Sequence, residues 1–165
     1  MASNTDFLLG IRAAMKFQDS LLKQLSETSV KLHETLLKKI CETCHLTLIE
    51  GKVIAFLHNN PGKDTAADIA EFRMLSKGNV SQAVESLIQK GLLQRIPDLH
   101  DRRRIHLVLL ASSDPITAKI DCMMEEYRQY LFQGFSQKEL DCYQKLSERI
   151  MENTKNAMKG RNTYE

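Results

Sequence analysis

The sequence lacks the features that mark a membrane or exported protein. None of its apolar runs approaches the ~18 uninterrupted residues that a membrane-spanning helix needs. The first residues, MASNTDFLLGIRAAMKF, have no basic start, no long apolar stretch and no small-residue cleavage site. We therefore expect a cytoplasmic protein that does not contact a membrane.

Motifs of catalysis are also missing. The 165 residues hold no phosphate-cradling glycine loop, no nucleophile elbow and no His-Glu-x-x-His pair. An excess of one charge is missing too, because 23 lysine and arginine residues face 21 acidic ones, for a net charge of +2. The absence of these motifs predicts a protein that is not an enzyme and needs no cofactor. The net charge alone gives no indication that the protein binds nucleic acid.

Cysteine is scarce, and two of the four cysteines fall in the motif CETCH at residues 41–45. Cys-x-x-Cys-His is the spacing of a c-type haem site. Haem of that kind is attached outside the cytoplasm, however, and a reducing cytosol keeps thiols free. Three interpretations remain open: packing at a helix end, a redox switch or effector site built on Cys41, Cys44 and His45, and a metal site. A metal site is disfavoured because no second ligand pair is evident.

Residue spacing and helix caps predict a mostly helical chain with one small hairpin. Apolar residues repeat at helical steps over residues 6–44, with a soft spot at 26–29 where we expect a bend or break. The period becomes that of β-strands at 92–96 and 105–110, which the polar turn PDLHDRRR separates. Apolar spacing marks another helix after Pro115. Capping residues mark further helix starts at Thr47, Thr65, Ser76 and Ser136.

Short helices, a turn, a further helix and a basic hairpin follow one another between residues 46 and 110, which predicts a winged helix-turn-helix. The N-terminal turns of the last of these helices suit the major groove, because they carry short polar side chains and one cation. The candidate DNA contacts in that helix are Ser76, Lys77, Asn79, Ser81 and Gln82. The hairpin tip, or wing, adds the consecutive arginines Arg102, Arg103 and Arg104, whose charge suits the negative potential of a narrow minor groove.

Each of these residues also has a simpler interpretation. A run of arginines is usually a solvated turn, and Ser76 caps a helix whether or not it touches DNA. The position of the arginines after a helix-turn-helix and between two strands favours DNA contact. We expect Asp101 to orient the wing rather than to touch phosphate, which would repel it, and we assign Arg95 the same wing-orienting role.

These pieces together resemble the MarR-type transcriptional regulators. The resemblance covers about residues 46–110 through LTLIEGKVIAFL, TAADIAE, VSQAVESLIQKGLLQR and PDLHDRRRIHLVLL. Its most specific motif is the wing, D-x-R followed by an alternating strand, at Asp101-Arg102-Arg103. The resemblance implies an obligate homodimer, with dimerisation helices at residues 1–45 and 111–165 and winged lobes that bind a pseudo-palindrome in double-stranded DNA. Ser81-Gln82 stand where the family often has Thr-Arg, so DNA specificity is not carried over.

The expected function is that of a dimeric, sequence-specific DNA-binding repressor whose DNA affinity responds to a small-molecule effector or to thiol oxidation. The effector is expected where the terminal helices meet the winged lobe, at a hinge that residues 41–47 occupy. A small rotation there would change the spacing of two recognition helices, which must match grooves about 34 Å apart. The alternative from another class is a winged-helix protein-interaction module that binds an acidic partner and no DNA.

Overall fold

The computed structural model describes residues 4–101 and 103–161, with side chains described for residues 20–101 and 103–158. The helices and strands of this part of the chain are α1 (Asn4–Thr43), α2 (Leu48–Asn59), α3 (Ala66–Arg73), α4 (Lys77–Gln89), β1 (Leu93–Pro97), β2 (Ile105–Leu109), α5 (Asp114–Leu131) and α6 (Gln137–Arg161). A single 3-10 turn, Ala111–Ser113, leads into α5. The two strands pair antiparallel, with Leu93 opposite Leu109. The predicted class, mostly α with one small hairpin, is confirmed.

Side-chain caps fix the starts of the three helices of the winged region, as the sequence predicts. Thr47 and Thr65 each form a capping box, in which the hydroxyl accepts from an amide three residues later and a carboxylate accepts from the threonine N–H. The Ser76 hydroxyl accepts from the Asn79 N–H at 3.2 Å and begins α4. Each cap satisfies a backbone donor that the helix itself cannot pair.

The predicted break in the first helix is wrong, because α1 runs without interruption through residues 26–29. The Ser29 hydroxyl donates to the Ser26 carbonyl at 3.0 Å, so the serine is satisfied inside the helix instead of competing with it. The helix ends at Thr43, and His45 in the following link has a positive φ of 55°. That left-handed residue turns the chain sharply from α1 into α2.

The first compact unit extends to Tyr127 and is built around one apolar core. Val53 and Ile54 of α2, together with Leu87 of α4, are fully buried in it. Leu37 of α1 and Ile120 of α5 are also fully buried, so residues outside the winged region complete its core. Burial of one such side chain contributes about 1.5–3 kcal/mol to folding, which makes α1 and α5 part of what holds the winged region together.

The second compact unit begins at Arg128 and contains the end of α5 and all of α6. The predicted cap is present: the Ser136 N–H and hydroxyl both donate to the Glu139 carboxylate, at 2.8 and 2.7 Å. The Phe132 ring packs edge-on against the ring of Tyr143, with centroids 5.2 Å apart. None of the helices within the described ranges is long and apolar enough to cross a membrane.

Candidate nucleic-acid interface

Helix α4 has one buried face and one polar face. Its buried side chains are Val80, Ala83, Val84 and Leu87. The five side chains that the sequence nominated for DNA contact, Ser76, Lys77, Asn79, Ser81 and Gln82, are all exposed. Burial of the apolar face therefore fixes the helix and leaves its N-terminal turns free to meet a groove.

Asp98 organises the wing loop, which we define as residues 98–104. One oxygen of its carboxylate, Oδ1, accepts from the His100 and Asp101 amides at 2.7 and 2.8 Å. The Asp98 N–H donates to the Arg104 carbonyl at 3.0 Å, and the Arg104 N–H donates to the Asp101 carbonyl at 2.9 Å. These hydrogen bonds join the two ends of the loop and fix the conformation of its backbone.

Arg103 lies beside the acidic residue that was expected to orient the wing. The Arg103 N–H and Nε donate to Asp101 Oδ1 at 3.0 and 3.2 Å, while the Arg103 side chain is 92% exposed. Arg104 is exposed as well, and Arg102 lies outside the described residues. Arg95 makes an ion pair with Glu85 at 2.8 Å, which ties β1 to α4. The wing-orienting role of Asp101 and Arg95 stays a prediction.

A groove of about 530 Å³ lies between the start of α3 and the wing. Arg103 and Arg104 line its wing side, and Thr65 and Asp68 line the side of α3. The Thr65 hydroxyl donates to the Asp68 carboxylate at 2.6 Å, and this hydrogen bond lowers the pKa of Asp68. Asp101 also lines the groove and accepts a hydrogen bond from Arg103 Nε. With both carboxylates engaged, two arginines and the N-terminus of α3 line the groove, a setting that suits a phosphate.

Sequence reasoning missed the role of His106 in β2. Its Nδ1 lies 2.8 Å from Asp64 Oδ1, and its Nε2 lies 3.0 Å from Asp98 Oδ2. We call these three side chains the wing clamp. The hydrogen bonds to Asp98 and then Asp64 raise the pKa of His106, and the hydrogen bond from His106 holds the pKa of Asp98 well below its usual range. Because Asp64 is 42 residues away in sequence, no local pattern could have revealed the contact.

A second missed contact joins the end of α4 to the link between α1 and α2. Lys90 Nζ donates to both carboxylate oxygens of Glu50, at 2.8 and 2.9 Å, and to the His45 carbonyl at 3.1 Å. Ser86 Oγ adds a 2.6 Å hydrogen bond to Glu50, which is 2% exposed. Burial alone would raise the pKa of Glu50, but the hydrogen bonds from Lys90 and Ser86 outweigh it and lower that pKa. The end of α4 is thereby tied to α2 and to the link between α1 and α2.

The two hinge cysteines differ in their surroundings. Cys41 is 2% exposed, its Sγ packs against Gly51, and burial raises the pKa of its thiol. Cys44 is half-buried, and its Sγ lies 3.6 Å from the Lys119 Nζ. The side chain of His45 is exposed. All four cysteines are free, and no group of three or more metal-ligating side chains occurs among the described residues.

A cavity of about 390 Å³ is lined by residues of α1, α2, α3 and α5, together with Met74. Arg73 lines it, and the Nε of Arg73 is buried without a hydrogen-bond partner among the described residues. Burial lowers the pKa of this guanidinium. His33 and Tyr127 also line the cavity and pack edge to face, with centroids 5.5 Å apart. An unpaired donor beside aromatic rings suits a small anionic ligand, and sequence reasoning did not single out Arg73.

The fold is that of the winged helix-turn-helix class. It has a helix-turn-helix, an exposed polar face on the second helix of that motif, and a hairpin with a basic tip. Residues 46–104 match the family model described as the MarR family. The resemblance to MarR-type regulators, which are transcriptional regulators and not enzymes, is confirmed for the winged region. No curated protein matches this sequence.

Solved structures share the fold over most of the chain. A MarR transcriptional regulator from Methanosarcina mazei Go1 aligns with a TM-score of 0.68 and 14% identity, over 84% of this chain and 99% of that one. The MepR–DNA complex of S. aureus aligns with a TM-score of 0.59 and 20% identity, over 82% and 96%. Bordetella bronchiseptica BpsR, whose DNA binding is regulated by 6-hydroxynicotinic acid, aligns with a TM-score of 0.56 and 18% identity, over 78% and 91%.

Proposed function

We propose that this protein is a cytoplasmic, homodimeric transcriptional repressor that binds a pseudo-palindromic operator in double-stranded DNA. One observation carries the proposal: the exposed N-terminal turns of α4 lie next to the two strands that carry the wing. Ser81 of α4 and Arg95 and Ile105 of the hairpin line the same cavity of about 270 Å³. Base edges can then be read by α4, while Arg103 and Arg104 contact the backbone or the adjacent minor groove. The DNA complex of MepR supports this use of the fold.

The dimer is supported by apolar side chains that each compact unit leaves exposed. Leu21, Leu22 and Leu25 of α1 are 55–61% exposed, and Leu146 and Ile150 of α6 are 54% and 61% exposed. Exposed apolar side chains of this kind mark an interaction surface on each unit. A second copy would cover it and would supply the second winged lobe that a pseudo-palindrome needs. Sedimentation as a stable monomer at micromolar concentration would contradict the dimer.

DNA affinity would respond to a small anionic ligand bound in the Arg73 cavity. Regulation of BpsR by 6-hydroxynicotinic acid supports a ligand input for this fold. The cavity wall includes Lys52 of α2, which pairs with Glu34 of α1, so a ligand that moved α1 would also act on the winged region. Ligand binding would release DNA by changing the spacing of the recognition helices, as a repressor requires.

A thiol input is best supported at Cys44. It is the more accessible of the two hinge cysteines, and the Lys119 Nζ lies 3.6 Å from its Sγ. Cys41 is the matched control, because its raised pKa and burial disfavour reaction. Peroxide should weaken DNA binding in the wild type and in Cys41→Ser, but not in Cys44→Ser. A wild type whose affinity is unchanged after oxidation would leave both cysteines as packing residues.

Binding to the DNA upstream of the protein's own gene is the experiment that tests the proposal. Arg103→Ala should weaken binding to every duplex, because it removes a phosphate or minor-groove contact. Gln82→Ala should change sequence preference more than overall affinity. Lys145→Ala is the matched control, since it removes an exposed cation from α6, outside the proposed surface. An Arg103→Ala variant with unchanged affinity on all DNA would contradict the wing assignment.

The same measurement separates DNA binding from the alternative function. A winged-helix protein-interaction module would use Arg103 and Arg104 to bind an acidic protein. Such a protein would bind neither the DNA upstream of its own gene nor any duplex selected from a random library.

A further inference from the structure

The wing clamp connects the wing loop to the segment before α3, which a backbone hydrogen bond also joins to β2. Asp98 belongs to the wing loop, and Asp64 belongs to the segment just before α3. The Asp64 carbonyl accepts from the Leu107 N–H at 2.7 Å, which fixes β2 against that segment. The adjacent residue, His106, extends the contact through its ring to both carboxylates. The clamp therefore ties the wing loop to the body of the winged region.

Asp98 links the His106 ring to Arg103 through the hydrogen bonds of the wing loop. Its Oδ2 faces His106, while its Oδ1 accepts from the amides of His100 and Asp101. Asp101 in turn holds the Arg103 guanidinium. A displacement of Asp98 would therefore reshape the loop and move Arg103, although His106 itself is partly buried and away from the wing tip.

The geometry of the clamp requires a protonated ring. Carboxylates only accept hydrogen bonds, so both ring nitrogens must donate, and only the imidazolium form has two N–H groups. A neutral ring would turn a bare nitrogen toward one of the two carboxylates. That link would be lost and replaced by repulsion between lone pairs.

We infer that His106 is a positioning residue for DNA binding, and that its imidazolium form holds the wing in the arrangement that binds DNA. This inference rests on the proposed function, since it assigns the wing a role at DNA. The charged groups that act on the ring are Asp98 and Asp64, which favour the cation, and Arg104, which opposes it. The carboxylates prevail and raise the pKa of His106.

The direction of the pH effect follows from that raised pKa. Below the ordinary histidine value of about 6.5 the clamp is fully formed, and it is lost as the pH rises through the raised pKa of the folded protein. DNA affinity should therefore fall as the pH rises through this raised pKa. His100, in the same loop, is the matched control, because its contact with Asp98 is made by its backbone amide and not by its ring.

The test compares DNA affinity from about pH 6 to about pH 9, at constant ionic strength, by fluorescence anisotropy with a duplex selected from a random library. The wild type and His100→Gln should lose roughly tenfold in affinity across this range, equivalent to one charge-assisted hydrogen bond. His106→Gln should bind weakly and almost independently of pH. Asp64→Asn, which keeps the backbone contact to Leu107, should shift the midpoint of the loss to lower pH.

The outcomes separate this inference from the proposed function. A His106→Gln variant with the wild-type pH profile, or an Asp64→Asn variant with an unchanged midpoint, would overturn the inference and leave DNA binding intact. Absence of DNA binding at every pH would contradict both. The ring itself supplies a second readout, free of DNA: nitrogen-15 NMR should show both ring nitrogens of His106 protonated at about pH 6, with a titration midpoint above that of a free histidine. A titration midpoint at or below that of a free histidine would overturn the inference even if His106→Gln failed to fold.

Discussion

The recognition helix and the wing contribute to the same candidate surface but are held by different forces. Helix α4 is anchored by Val80, Val84 and Leu87, each no more than 2% exposed. None of the described residues of the wing loop is buried in this way: Leu99 is 94% exposed, and the shape of the loop depends on hydrogen bonds to Asp98. Apolar burial is indifferent to pH, whereas hydrogen bonds between ionised groups are not. The helix is therefore the constant part of the surface and the wing is the adjustable part.

The largest effect should come from removing the anchor of α4. Leu87→Ala leaves a cavity in the core and should lower the free energy of unfolding by about 2–5 kcal/mol. Leu99→Ala, the same substitution in the wing, should change it by less than about 0.5 kcal/mol, because the side chain is already in water. Denaturant unfolding of both variants measures the difference. Equal destabilisation by the two substitutions would remove the contrast between helix and wing.

A smaller loss is expected where α1 crosses α2. A Cβ at Gly51 would overlap the Cys41 Sγ, so Gly51→Ala should cost about 1–3 kcal/mol through overpacking. Adding Cys41→Ala should remove the clash, and the double variant should then be at least as stable as Cys41→Ala alone. Independent, additive effects of the two substitutions would show that Cys41 does not pack against Gly51.

The local elements of this surface could be predicted from the sequence, and the contacts between them could not. Thr47, Thr65 and Ser76 marked three helix starts correctly, because a cap and the amide it satisfies lie within three residues. The His106–Asp64 contact of the wing clamp and the Glu50–Lys90 pair join residues 42 and 40 positions apart. The alternation of apolar residues in β2 gives no sign of which side chains His106 contacts. Arg73 was missed for the same reason, since its lack of a partner is visible only once the core has formed.

A substitution in the turn between α3 and α4 should increase the stability of the protein. Met74 has a left-handed backbone, with φ of 50° and ψ of 37°, and its side chain is 93% exposed. A residue with a Cβ is strained there by about 1 kcal/mol, so Met74→Gly should stabilise the protein by up to that amount. Met74→Ala keeps the Cβ and should stay within about 0.5 kcal/mol of the wild type. A Met74→Gly variant less stable than Met74→Ala would show that the backbone strain is not the dominant factor.

The smallest expected effect is a change in the thermal stability of the protein with pH, caused by the wing clamp. Because the pKa of Asp98 is lowered and that of His106 is raised, their pairing stabilises the folded state between the two titrations. It is lost in acid as Asp98 is protonated and in base as His106 loses its proton. The thermal midpoint of the wild type should therefore exceed that of His106→Gln most clearly near pH 6 and approach it at alkaline pH. A difference independent of pH would assign His106 a packing role only.

The salt dependence of DNA affinity tests the central claim most directly, because it counts phosphate contacts without knowledge of the operator. Neutralising six or more phosphates per dimer should cost roughly a thousandfold in affinity between 50 and 200 mM salt. The double variant Arg103→Ala/Arg104→Ala should bind with a clearly shallower slope, while Lys145→Ala should keep the wild-type slope. A wild-type affinity that barely changes with salt, or a slope unaltered by loss of both wing arginines, would contradict the account.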